Sequence, residues 1–124
     1  MDRYEKLTQS FKDHMELNPS EECCGIITKD FEYIPCDNLS PYPKDSFILD
    51  PKALLKYADS CWGIFHSHTS EHSEIPSNKD ADSTIFKQYK FIMGSPSNVF
   101  YEYWLDEEIK SLRIKAFSEE SLIC

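Results

Sequence analysis

Residues 61–80 read CWGIFHSHTSEHSEIPSNKD, and how this stretch folds decides what the chain can be. Cys61 to Phe65 is a short apolar run of the kind that forms a buried strand. On a strand, residues two apart face the same side, with Cα atoms roughly 6.5 Å apart. His66 and His68 therefore project together, while Ser67 points away. Two imidazoles on one face can converge on one ion, and a catalytic zinc takes three protein ligands and keeps a position for water. His-x-His by itself is also the pattern of exposed histidines at a strand end.

The segment after the histidines sharpens the choice. Ser77 to Tyr89 reads as a helix whose start, Pro76-Ser77-Asn78-Lys79-Asp80, can present Asp80 as a carboxylate ligand from its first turn. The same Ser-x-x-Asp spacing is an N-capping pattern, with the serine hydroxyl on the backbone and the acid reaching back. The two roles are compatible. His72 is read as a solvent-exposed loop residue, because a further protein ligand would close the position that water needs.

Working outward, Tyr4, Leu7, Phe11, Met15 and Leu17 keep a helical rhythm over residues 3–17, which Asn18-Pro19-Ser20 ends. Cys23 to Thr28 reads as a strand, with Phe31 to Cys36 as its hairpin partner. Asp37 to Lys44 is loop by composition, and Ser46 to Leu49 is expected to be a short strand. Asp50 caps a helix with proline at its first position, running to about Ala58. Lys90–Gly94, Val99–Leu105 and Ile109–Phe117 read as three late strands. Trp62 and the run Phe100-Tyr101-Tyr103-Trp104 are assigned to the core. The pattern is an α/β or α+β domain around one mostly buried sheet.

A chain of 124 residues is one domain long, and 40% hydrophobic and 14% aromatic content fit a folded globule. The net charge of −9 argues for no nucleic acid and no membrane as partners, since both demand a basic face. No apolar run approaches the roughly 20 residues of a membrane span. The N-terminal stretch lacks the uncharged core of a signal peptide, so a cytoplasmic location is expected. The five cysteines include an adjacent pair and no CxxC, which reads as free thiols. Cys24 is read as a small buried residue, since no histidine is placed beside it to make it a nucleophile.

A zinc-activated water needs a base. Pro19-Ser-Glu-Glu-Cys-Cys-Gly25 offers Glu21 and Glu22 just before a strand, although a glutamate pair is more often plain surface charge. Glu22-x-x-Gly25 before a strand, His66-Ser67-His68 and Pro76-Ser77-x-x-Asp80 together resemble the JAB/MPN domain metallopeptidases with the JAMM motif. The likeness spans nearly the whole chain. The ECCGII segment and small size look most like the bacterial and phage branch, which includes phage tail-assembly proteins of the K type. In those, such a domain often accompanies a cell-wall hydrolase domain.

The resemblance implies a single JAB/MPN-like domain over residues 1–124, with a central mixed β-sheet flanked by helices. It makes His66, His68 and Asp80 the ligands of Zn2+, Glu22 the general acid/base, and Ser77 the group that steadies the oxyanion. The implied reaction is hydrolysis of a peptide or isopeptide bond without a covalent enzyme intermediate. The implied substrate is a tail protein, a cell-wall peptide or the tail of a ubiquitin-like sulfur carrier. The implied place is the cytoplasm, that of the host for a phage chain, or the virion tail. An inactive assembly module of the same fold is the competing reading.

Two departures from the family pattern stand out. Thr69 to Lys79 makes eleven residues between His68 and Asp80, one more than usual, and Thr69 stands where proline is common. Asp80 is preferred to Asp82 because it keeps its spacing from Ser77. Glu22 is preferred to Glu21 because the strand register counts back from Cys24-Gly25.

Overall fold

The computed structural model describes residues 2–70, 73–80 and 88–123. Its first element, α1 (Arg3–Leu17), is capped by the Asp2 side chain, which accepts from the Glu5 N–H. It buries Leu7, Thr8 and Phe11, the inward stripe of the helical rhythm. Strand β1 (Cys24–Thr28) pairs antiparallel with β2 (Tyr33–Cys36), so the hairpin forms as expected. At Gly25 an added Cβ would lie 2.5 Å from the Ile34 carbonyl oxygen and from the Tyr33 ring. Only glycine fits under that contact.

Helix α2 (Pro51–Lys56) starts where the Asp50-Pro51 signal places it, with Asp50 accepting from the Lys52 N–H. It ends two residues before Ala58. Strand β3 (Cys61–Ser67) runs two residues past Phe65 and so carries His66 within the strand. Strands β4 (Lys90–Gly94), β5 (Phe100–Asp106) and β6 (Ser111–Ala116) follow. A 3-10 helix at Glu119–Leu122 then buries Leu122.

Among the described residues the sheet has six strands in the order β2-β1-β3-β4-β5-β6. β3 and β4 are parallel and every other pair is antiparallel. This is a mixed sheet with helices, the α/β arrangement expected.

Both faces of the sheet are covered. On one, Phe11 of α1 stacks on Phe65 with ring centroids 4.0 Å apart and meets Tyr33 edge-on at 5.1 Å. Ile27, Ile92, Phe100, Phe117 and Leu122 complete that cluster. The other face holds Ile26, Ile64, Phe91, Met93 and Tyr103, against which α2 and the segment before it lay Phe47, Leu49, Ala53 and Leu54. Strand alternation therefore sends Phe65 into the α1 core and its neighbour His66 to the opposite face.

Three expectations need correction. Ser46 to Leu49 is not a strand: it contributes a single bridge, Asn38 to Leu49, because its neighbours bond the Asn38 side chain instead of a ladder. Of the helix read over Ser77 to Tyr89, residues 78–80 form a 3-10 turn and Gln88 and Tyr89 are not helical; residues 81–87 lie outside those described. Of the aromatic run, Phe100 and Tyr103 are core, but Trp104 is 41% exposed, at the end of β5 beside the exposed strand β6.

Phe11 touches four aromatic rings and has no exposed surface. Phe11→Ala is expected to cost about 3–5 kcal/mol, read as a lower urea midpoint with an unchanged slope.

Candidate metal centre

The site lies at the C-terminal end of β3, where the chain leaves the sheet. His66 is fully buried, His68 is 7% exposed and Asp80 9%. Ligand atoms of these three side chains all lie within 4.8 Å of one another. His66 Nε2 is 3.1 Å from Asp80 Oδ1, and His68 Nε2 is 3.1 Å from Asp80 Oδ2. The edge of a tetrahedron with bonds of about 2.0 Å is about 3.3 Å, so these separations are already close to those of ligands around one zinc-sized ion.

The remaining ring nitrogens are held from behind. The His66 ring stacks on Phe47 with centroids 4.4 Å apart, and its Nδ1 lies 3.3 Å from the Tyr103 hydroxyl. His68 Nδ1 lies 2.8 Å from the Ser73 carbonyl oxygen. A carbonyl only accepts, so His68 must carry its proton on Nδ1. A neutral His68 then aims the Nε2 lone pair at a carboxylate oxygen 3.1 Å away. That contact is repulsive unless a proton or a metal cation lies between the two. The donor set thus fits a divalent metal, with each imidazole oriented through its second nitrogen.

Asp80 serves two purposes at once. Its Oδ2 accepts from the Ser77 N–H at 2.7 Å and from the Ser77 hydroxyl at 3.4 Å, and the Asp80 N–H donates to the Ser77 carbonyl at 2.9 Å. The acid does reach back over the turn as a cap would. The Ser77 hydroxyl, however, faces the carboxylate rather than the backbone.

The electrostatics follow from these contacts. Burial lowers the pKa of His66 and outweighs its bond to Asp80. Burial also pulls on His68, but the Asp80 carboxylate and the Ser73 carbonyl together raise it above its ordinary value, with Glu22 adding to the effect. Asp80 resists its own burial because both histidines and the Ser77 N–H stabilise the anion, which holds its pKa well below the carboxylate range.

Glu22 is 5% exposed, directly ahead of β1. Its N–H donates to the Pro43 carbonyl at 2.7 Å, and its carbonyl accepts from the Asn38 side chain at 2.8 Å. Glu21 is half-buried and turns back to accept from Asn18 at 3.0 Å. Cys24 is fully buried and burial pushes its thiol far up; Cys23 is pushed up to about 11, again chiefly by burial. Neither offers a thiolate nucleophile. His72 and Asp82 lie outside the described residues.

Sequence reasoning missed Tyr103, Ser73 and Asn38. Tyr103 was assigned to the core without a role, and only the strand order puts its hydroxyl behind His66. Ser73 acts through its backbone, so its residue type carries no signal. Asn38 ties the Glu22 carbonyl to the Ser46 carbonyl, and nothing local separates it from any loop asparagine.

Residues 5–106 match the family described as prokaryotic homologs of the JAB domain. The chain belongs to that family. A relative is the tail tip assembly protein K of Escherichia phage N15, 31% identical over 91 residues. That alignment covers 65% of this chain and 36% of the phage protein, so the chain spans little more than a third of its relative's length. No helix among the described residues of this JAB-family chain is long and apolar enough to cross a membrane.

Two outcomes test the geometry. Tyr103→Phe keeps the ring but removes the hydroxyl behind His66, and is expected to weaken divalent metal binding about 10- to 100-fold, measured by competition with a chromogenic chelator. Protons compete for His68, whose pKa is raised because Asp80 and the Ser73 carbonyl outweigh the effect of burial. Metal affinity should therefore fall as pH drops from neutral, by about tenfold per unit for this ring alone. A flat affinity between pH 8 and pH 5 would contradict that placement.

Proposed function

We propose that this chain is a zinc-dependent hydrolase of peptide or isopeptide bonds, acting on a protein or peptide substrate during phage tail assembly. The observation that carries the reading is His68, held by Ser73 so that its free nitrogen meets Asp80 beside His66 in a buried pocket. Membership of the JAB family supports the same chemistry. The likeness to a phage tail tip assembly protein supports the setting.

His66, His68 and Asp80 would hold the ion. When bound, zinc supplies Lewis-acid activation of a water molecule and of the scissile carbonyl. In this reading Glu22, buried and close enough for its charge to reach His68, takes a proton from the attacking water and returns it to the departing amine. The backbone bonds of Glu22 to Pro43 and Asn38 fix its position relative to β1. The Ser77 hydroxyl, on the rim of the cluster beside Asp80, donates to the oxygen on which negative charge develops. The site excludes bulk water on the side of Phe47 and Tyr103, which strengthens each of these interactions.

A second reading draws on the word assembly in the relative's name: the domain holds its metal for stability and docks a tail protein without turnover. The two are separated by one pair of measurements. The purified chain should contain about one zinc per molecule. Glu22→Gln should keep that zinc, yet lower the cleavage rate of a tail-protein substrate by at least about 100-fold. Full cleavage by Glu22→Gln would remove Glu22 from its role as the base. No cleavage by the zinc-loaded parent chain on its co-encoded tail proteins would favour the docking one.

A further inference from the structure

A different part of the molecule carries a ligand site of its own. Glu102 sits in the middle of β5, facing away from the metal centre, since its neighbour Tyr103 points at His66. It is 3% exposed. One carboxylate oxygen, Oε2, pairs with Lys115 Nζ at 3.2 Å across the β5–β6 ladder. The other, Oε1, is buried and has no hydrogen-bond partner among the described residues. A buried acceptor left unmatched is costly, and native structures hold few of them.

Glu102 does not face close-packed core. It lines a cleft of about 360 Å³ together with Gln88, Lys90, Trp104 and Lys115. The volume is at the small end of ligand sites. The cleft carries two lysines against one glutamate, so it is locally cationic on a chain whose net charge is −9. Lys90 is exposed, Lys115 is half-exposed and Trp104 shows 41% of its surface. The chemistry on offer is one acceptor at depth, two ammonium groups at the rim and an aromatic wall.

We propose that this cleft binds a free α-amino acid as its zwitterion. The ligand ammonium donates to Glu102 Oε1, which completes the carboxylate. The ligand carboxylate lies with Lys90 and Lys115, and its side chain covers Trp104. A simple cation would be repelled by the two lysines, and a simple anion would leave Oε1 unmatched. The zwitterion answers both. Lys115, with its exposed and mobile stem, is the wall that shifts to admit it. Tyr103, whose hydroxyl backs His66, also borders the cleft, but none of His66, His68 and Asp80 lines it, so the proposal does not rest on the hydrolase reading.

The test uses the full chain and three probes: L-phenylalanine, phenethylamine and 3-phenylpropanoate. These present both charges, the cation alone and the anion alone on the same ring. Titration followed by amide NMR should give saturable binding of L-phenylalanine, at least about tenfold tighter than either half. The shifts should centre on β5 and β6. Glu102→Gln should weaken binding about tenfold or more while the protein keeps its metal content. If that variant does not fold, Trp104→Ala, at an exposed position, should weaken L-phenylalanine by removing the wall its ring covers, and undiminished binding by this variant would overturn the proposal. Absence of saturation by about 20 mM, equal binding of either half, or undiminished binding by a folded Glu102→Gln would overturn the proposal.

Discussion

The cluster of His66, His68 and Asp80 depends on the parallel pairing of β3 with β4. A parallel pair cannot be closed by a hairpin. The chain leaving Ser67 must return to the far end of the sheet before Lys90 can begin, and residues 68–89 are that return. The return starts in register: the His68 N–H still donates to the Gly94 carbonyl at 2.9 Å, so both histidines keep strand geometry on one face. Its first part then delivers the Ser73 carbonyl and the turn from Ser77 to Asp80 back onto those histidines. An antiparallel β3–β4 connection would be too short to carry these groups.

That placement fixes the electrostatics as well as the geometry. Burying one carboxylate and two imidazoles without partners would cost several kcal/mol per charge. Here the groups are arranged on one another: Asp80 accepts from the His66 ring and the Ser77 backbone, the back nitrogens of the rings meet Tyr103 and Ser73, and the His68 Nε2–Asp80 contact is the one that a proton or a cation completes. The opposite face of β5 is handled differently. Glu102 is matched on one oxygen only. One strand therefore carries, at adjacent residues, a completed polar network on one side and an incomplete one on the other.

Much of this was legible in the sequence, and the reason differs between elements. The caps at Asp2 and Asp50 and the hairpin of β1 and β2 rest on local signals that tertiary structure did not override. The His-x-His pair was legible because strand alternation is local too. The extra residue between His68 and Asp80 did not carry Asp80 away from the histidines, since the Ser77–Asp80 turn moves as a unit. What failed was what needs the neighbour. Ser46 to Leu49 has strand-like residues but makes a single bridge, and Trp104 has a core residue's chemistry at a half-exposed place beside the edge strand. Alternation puts Tyr103 and Glu102 on opposite faces of β5, and only the order of strands says which of those faces meets His66.

The two sites also differ in how far the family likeness reaches them. Residues 5–106, which match the JAB family, contain every group of the metal centre from Glu22 to Tyr103. They contain Glu102 and Trp104 but not Lys115, which stands on β6 beyond the match. β6 is an exposed strand whose register against β5 nonetheless places Lys115 opposite Glu102. A slip of one residue would send the lysine to the other face and leave both oxygens of a buried carboxylate unmatched. The ion pair therefore pins the register of the last strand, and the cleft follows from that register. The candidate metal cluster thus lies wholly within the stretch that matches the family, whereas the cleft also needs a residue of β6 outside it.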